Sequence, residues 1–280
     1  MTSTPAGAAA TAASASPLAL RHDGPVLHVT LDRPAARNAM SLAMVDALRR
    51  ALAEAEADGR TRVVVLRGAG GHFCAGADLA DMAAARMRPV SSDHDPVAEV
   101  NAEFGRLCAA FAGTGLATVA VLEGTVMGGG LGLACVVDVA LAGTTASLRL
   151  PETSLGLVPA QIAPFLVARL GASQARRLAV TGGRLDAAQA LAVGLVHEVH
   201  DGATGALDAA LADTLHRILQ CAPTAVAATK RLMARACREP ACDLVEEAAR
   251  VFAQAARGPE GGEGVAAFLQ KRAPSWAAAS

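Results

Sequence analysis

Tyrosine is missing from this chain, and aromatic residues make up only 2% of its 280 positions. A surface of stacked rings for reading bases is therefore excluded. Charge is also sparse: 18% of residues are charged, the formal net charge is -1, and no basic block or stripe occurs. That balance argues against nucleic acid as a partner and against a polybasic membrane-binding face. No apolar run reaches the length of a membrane span. The six cysteines (Cys74, Cys108, Cys135, Cys221, Cys237 and Cys242) include no C-x-x-C pair. A chain of this length with 52% hydrophobic residues needs no disulfide framework, so they read as reduced thiols. His197-Glu198-Val199-His200 misses the H-E-x-x-H zinc pattern by one residue, and no metal site is expected. Residues 1–17 are nearly all Ala, Thr, Ser, Gly and Pro, with neither a charged start nor presequence arginines. They read as a disordered tail, and the implied location is the cytoplasm.

What is present alternates between strand and helix patterns. Val26–Leu31 is short, rich in β-branched residues and stopped by Asp32-Arg33-Pro34, which marks a strand. Ser41 is placed as the N-cap of an amphipathic helix carrying Leu42, Val45, Leu48 and Leu52 and ending at Gly59. A buried strand over 63–66 is bounded by Gly68, Gly70 and Gly71. A polar loop over 88–96 precedes a helix over 97–111, then a strand over 118–122. Gly128-Gly129-Gly130 follows, with a small-residue helix running through Cys135. Short strands are expected over 137–141 and 147–150, and helices dominate after Ala160. Beyond Gly205 only helices are expected, around 207–219, 223–236, 242–257 and 261–271. The alternation predicts an α/β fold with largely parallel pairing. Residues 18–204 form its expected core and 205–280 a helical region.

Three segments carry chemistry. Gly71-His72-Phe73-Cys74-Ala75-Gly76-Ala77-Asp78-Leu79 follows a strand, and Val126-Met127-Gly128-Gly129-Gly130-Leu131-Gly132-Leu133-Ala134 joins a strand to a helix. The third is Leu150-Pro151-Glu152-Thr153-Ser154-Leu155-Gly156-Leu157. Glycines at a strand-to-helix junction let the main chain approach a ligand, and the helix N-terminus adds partial positive charge. Such a site suits an oxyanion or a phosphate; a glycine turn that only lets a helix pack tightly is the plain alternative. Leu133 breaks a G-x-G-x-x-G pattern, and no Gly-Lys-Ser/Thr follows, so neither nucleotide fingerprint is met.

Together these segments resemble the crotonase (enoyl-CoA hydratase/isomerase) superfamily. Further matching stretches run from Leu27-His28-Val29-Thr30-Leu31-Asp32-Arg33-Pro34 and Arg37-Asn38-Ala39-Met40, through Cys135-Val136-Val137-Asp138, 178–183 and 190–199, to Glu263-Gly264-Val265-Ala266-Ala267-Phe268-Leu269-Gln270-Lys271-Arg272. The resemblance implies a spiral, ClpP-like, of repeated ββα units with a C-terminal helical trimerisation region. It also implies an acyl-CoA thioester as substrate, no separate cofactor, and a homotrimer or a hexamer.

By the same resemblance, the main-chain N–H groups of Ala77 and Gly129 form an oxyanion hole, and Glu152 is the acid/base. Moving a proton at Cα of a thioester puts charge on the carbonyl oxygen, and fixed donors hold that charge without reorganising. One such donor is worth roughly 3 kcal/mol of barrier. Many hydratases of the superfamily carry a second glutamate two residues after the glycine triplet; here that position is Gly132. One glutamate suffices for a syn addition of water and equally for a proton shuttle between Cα and Cγ, so hydratase and isomerase both stay open. Pro159-Ala160-Gln161-Ile162-Ala163-Pro164-Phe165 resembles the hydratases of branched glutaconyl-CoA esters, methylglutaconyl- or isohexenylglutaconyl-CoA, whose substrates carry a second carboxylate near Cβ. That carboxylate could orient the water a missing glutamate would hold. Gly132, Arg149, Pro159 and Gln161 are accordingly assigned to the substrate pocket, with a solvated strand-edge arginine the other reading of Arg149.

Arg37, Ala39, Ala75, Gly76 and Asp78 lie where the family grips coenzyme A, with Asp78 also read as a brace for its loop. Phe268 and Lys271 match residues that reach a neighbouring subunit's coenzyme A; plain helix amphipathicity explains them as well. Cys74 is read as a small apolar filler, His72 as a loop residue and Asp138 as structural. A catalytically silent acyl-CoA-binding subunit is the alternative from another class.

Overall fold

The computed structural model describes residues 16–277. Most of the tail expected over 1–17 lies outside them, but Pro17 already belongs to the fold, its carbonyl accepting from the Asp32 N–H at 2.9 Å. In chain order the elements are β1 (Leu18–Asp23), β2 (Val26–Leu31), α1 (Leu42–Ala57), β3 (Val63–Gly68), α2 (Leu79–Arg86), α3 (Pro96–Gly113), β4 (Ala117–Leu122) and β5 (Thr125–Met127). Next come α4 (Gly129–Val136), β6 (Val139–Gly143), β7 (Ser147–Arg149), α5 (Ala163–Val180), β8 (Arg184–Asp186), α6 (Ala187–Ala192) and β9 (Glu198–His200). Four helices close the chain: α7 (Ala206–Leu219), α8 (Pro223–Ala236), α9 (Ala241–Arg257) and α10 (Pro259–Leu269).

The larger sheet has the order β1-β2-β3-β4-β6-β9, parallel except for the β1–β2 hairpin. Its central strands are apolar at consecutive positions because both faces are covered. Val64, Leu66, Ala120 and Leu122 face the core under α1, α3 and α4. Val63, Val65, Val119 and Val121 face the other way, against Leu207, Leu211 and Leu219 of α7. Helix α7, just beyond the boundary expected at 204/205, therefore packs on the core sheet.

The short strands build a second layer. β5 pairs with β7 and β7 with β8, while single bridges join Met40 to Ala77 and Cys74 to Val126. Each turn thus runs through a long strand, a short second-layer segment and a helix, and the spiral of ββα units is present. Helix α1 begins where expected, with the Ser41 Oγ accepting from the Met44 N–H at 3.3 Å. Strand β1 is an addition to the expectation, as only Leu18 of its six residues is buried.

Two polar clasps tie this arrangement together. Asn38 is fully buried with φ 56°. Its Oδ1 accepts from the Arg33 N–H at 2.9 Å, and its Nδ2 donates to the Ala69 carbonyl at 2.9 Å and the His72 carbonyl at 2.6 Å. At the other end of the chain, Arg62 donates to the carbonyls of Leu219, Cys221 and Trp276. The Trp276 indole Nε1 donates to the Gln220 carbonyl at 3.0 Å, and its ring packs on Gly264.

Replacing Asn38 by Asp keeps the shape but leaves two buried carbonyls without a donor. Asn38→Asp is expected to lower stability by about 3 kcal/mol in urea unfolding; a loss under about 1 kcal/mol would contradict the clasp.

Candidate active site

Two stretches of main chain meet here without side chains between them. Gly76, at φ 95°, lies so close to the glycine run that a Cβ on it would stand 3.0 Å from the Met127 carbonyl oxygen and 3.6 Å from the Gly129 nitrogen. Gly128, at φ 50°, has the Glu152 carboxyl against it: a Cβ there would be 2.9 Å from Oε1. Cys74 anchors the first stretch by accepting Met127 N–H and donating its own N–H to the Thr125 carbonyl. The Ala77 N–H makes no hydrogen bond among the described residues. The Gly129 N–H is the first of α4, where a helix offers no internal acceptor. Ala77, Gly129 and Glu152 line one cavity of about 600 Å³.

Glu152 opens a short 3-10 turn, half-buried, and its Oε2 is buried with no hydrogen-bond partner. Burial raises its carboxyl above the ordinary carboxylate range, and no ion pair offsets the effect. The remaining carboxylates of the wall are occupied. Asp78 pairs with Arg33 at 2.7 Å and caps α2 through the Ala80 N–H, so its bracing role is clear. Asp81 accepts from the Leu42 N–H, and Asp95 from the Val97 and Ala98 N–H groups. Cys74 is fully buried, and desolvation pushes its thiol up to about 12, as befits a filler. His72 sits in its loop and accepts from the Thr125 N–H. Asp138 receives Thr118 and Lys230 and fixes α8 to β4.

The other assigned residues divide. Pro159 and Gln161 line the cavity. Arg37 is exposed and takes the Ala75 N–H on its carbonyl, while the Ala39 carbonyl takes the Arg33 guanidinium; the Gly76 carbonyl accepts from the Met40 N–H, so the 37–40 and 75–76 segments lie side by side. Two pocket assignments need correction. Arg149 does not line the cavity: its neighbour Leu148 turns into the core, so the arginine points to the opposite face of β7, and only its carbonyl serves the site by accepting the Gly128 N–H at 3.0 Å. Gly132 also stays behind the wall, because Phe104 and Ile162 cover it; a Cβ there would meet them at 3.0 and 3.1 Å. Phe268, 83% exposed, and Lys271 stand at the end of α10 and line no part of the cavity in this chain. The sequence reading missed Met40, Phe104, Asn101 and the Leu157-Val158 rim. The signal for α3 was available: Val97, Val100, Asn101 and Phe104 recur at spacings of three and four, with one amide in an apolar stripe.

An α/β spiral that brings two free main-chain donors and one buried carboxyl into a single apolar cavity defines a class of acyl-thioester enzymes. The family model described as enoyl-CoA hydratase/isomerase matches residues 21–279, and the chain belongs to that family. It is 49% identical to an enoyl-CoA hydratase/isomerase from Marinobacter aquaeolei, with a TM-score of 0.90 over 93% of this chain and 99% of that one. Pseudomonas aeruginosa AtuE is likewise 49% identical, with a TM-score of 0.89 and the same coverage, 93% and 99%. The 2,3-dehydroadipyl-CoA hydratase of Escherichia coli (strain K12) is 33% identical over 90% of this chain and 94% of its own length.

Two outcomes follow from Glu152 and its glycine neighbour. Gly128→Ala, which meets both the positive φ and the carboxyl, is expected to cut kcat about 100-fold or more with a folded circular dichroism spectrum retained. The raised carboxyl binds its proton more tightly when folded, so its contribution favours folding below the unfolded pKa and is lost as pH rises through the folded value. Glu152→Gln has no charge to bury. Its melting temperature should exceed that of the wild type at about pH 8, and the gap should close toward about pH 4.

Proposed function

We propose that this protein is a hydratase that adds water across the 2,3 double bond of an enoyl-CoA with a branched glutaconyl-type acyl group, such as methylglutaconyl- or isohexenylglutaconyl-CoA. The observation that carries the reading is the Glu152 carboxyl, its Oε2 buried without a hydrogen-bond partner, in the cavity shared with Ala77 and Gly129. In the forward direction, the water oxygen bonds to Cβ and Glu152 accepts its proton. The electron pair of the double bond moves to the thioester oxygen, which the Ala77 and Gly129 N–H groups stabilise. Glu152 then returns a proton to Cα as the enolate collapses. A carboxyl whose proton affinity is raised by burial suits both the uptake and the return.

The filled space at Gly132 supports a branched dicarboxylic substrate. Even a Cβ at that position would press on Phe104 and Ile162 at 3.0 and 3.1 Å, and with glycine there the attacking water needs another partner. A carboxylate on the substrate near Cβ meets that need. The E. coli relative, named for a dehydroadipyl thioester, likewise concerns a dicarboxylic acyl group. A cytoplasmic homotrimer or hexamer belongs to the same proposal, with Val245, Phe252, Val265 and Phe268 as exposed apolar residues for subunit contact.

The test assays crotonyl-, methylglutaconyl- and 3-enoyl-CoA side by side. The 3-hydroxy product from methylglutaconyl-CoA is expected in excess. A double-bond shift without water uptake would instead make Glu152 an isomerase shuttle. Glu152→Gln should lose about 1,000-fold in kcat and keep ligand affinity; unchanged turnover would remove Glu152 from the chemistry, and no turnover in the wild type would point to a silent acyl-CoA-binding subunit. Converting the substrate's free carboxylate to an amide should abolish turnover while binding survives.

A further inference from the structure

The cavity wall formed by α3 is apolar except at one point. Asn101 and Gln161 both line it, and the Gln161 Nε2 donates to the Asn101 Oδ1 at 3.0 Å. A missing side chain makes the bond possible. Gly105 lies one helical turn after Asn101, and a Cβ on it would stand 2.1 Å from the Gln161 Oε1. The glutamine thus occupies space that any residue other than glycine would take. Its bond engages the Asn101 oxygen, and the Asn101 Nδ2 keeps its donors with no partner among the described residues. Held but unsatisfied donors in an apolar cavity orient a ligand.

Helix α3 also tells where along the ligand this pair acts. Phe104 packs against Gly129 and Gly132, at the reacting end. Asn101 is three residues earlier, roughly 4.5 Å of helix rise away. The amides therefore stand within a few bond lengths of the reacting end. Arg86, at the end of α2, is the only lysine or arginine among the lining residues, and its guanidinium forms no hydrogen bond or ion pair among the described residues. Asp78, Asp81 and Asp95 are already engaged, so no wall aspartate is left to claim it.

We infer that the Asn101–Gln161 pair is a specificity device that recognises a carboxylate on the acyl group close to the reacting carbons, with Arg86 supplying the balancing charge. This rests on the reading of the cavity as an acyl-CoA site. Gly105 then acts as a specificity-determining position through the glutamine it accommodates. The pair directs N–H donors to the carboxylate oxygens and leaves a neutral branch with unpaired donors, which is the stronger source of discrimination.

The test uses saturated thioesters that cannot react, so it does not depend on hydratase chemistry. Titration calorimetry on the full chain compares 3-methylglutaryl-CoA with isovaleryl-CoA, and the acid is expected to bind about tenfold or more tightly. Asn101→Leu should lower affinity for the acid about tenfold and change that for isovaleryl-CoA less than about threefold. Gly105→Ala should do the same with both amides still present, since the group it displaces is the flexible tip of Gln161. Arg86→Ala should weaken the acid and leave free coenzyme A unaffected. Equal wild-type affinity for the two thioesters overturns the inference, as does an equal loss of both in the variants. Weaker binding of free coenzyme A by Arg86→Ala assigns that charge to a phosphate and overturns its acyl role. Preference for the acid without turnover of any enoyl-CoA would defeat the proposed reaction while upholding this recognition.

Discussion

The site depends on main chain touching main chain. Between the 73–78 stretch and the start of α4 there is no volume for side chains: a Cβ at Gly130 would come within 2.6 Å of the Cys74 carbonyl oxygen, and one at Gly76 within 3.0 Å of the Met127 carbonyl oxygen. That closeness brings an uncommitted N–H from each stretch to one cavity. It is possible only because the surrounding chain fixes both strands of approach. Asn38 holds the 69–72 turn, Arg33 holds Asp78, and the Met40–Ala77 and Cys74–Val126 bridges extend the second layer through the site. Donors held in this way need no rearrangement when charge develops on a ligand oxygen.

The same rigidity has a cost at Glu152. A buried carboxyl oxygen without a partner disfavours folding whenever it is ionised, and a protein selected for stability alone would pair it or remove it. The neighbouring carboxylates show the alternative, each satisfied by a cap or an arginine. Glu152 differs: it lines the cavity with no arginine or cap against its buried oxygen. Among the described residues it is the one carboxyl with a buried oxygen left without a partner.

Much of this was legible in the sequence, and the misses have physical causes. Strands β2, β3 and β4 announce themselves because both faces of a central parallel strand are covered, so apolar residues run consecutively. The four terminal helices were visible in the sequence, the last of them expected two residues later than it begins. Strand β1 was not, since five of its six residues are exposed on a sheet edge, and three-residue strands such as β5, β8 and β9 are too short for any period to emerge. Ala77, Gly129 and Glu152 were legible because each lies inside a contiguous motif. Arg149 was misplaced because strand side chains alternate, and a one-residue difference sends a group to the other face. The α3 wall and its partners near 157–162 could not be paired from sequence, because their contact is made only when the spiral closes.

The scarcity of aromatic residues returns at the carboxyl end. A chain without tyrosine has a single indole, and Trp276 spends it on a clasp with Gln220, Gly264 and Arg62, none of which borders the cavity. Its intrinsic fluorescence therefore reports the seating of the last segment and little else. Emission followed during denaturation tracks release of that clasp, and an occupied or empty catalytic cleft looks the same to it.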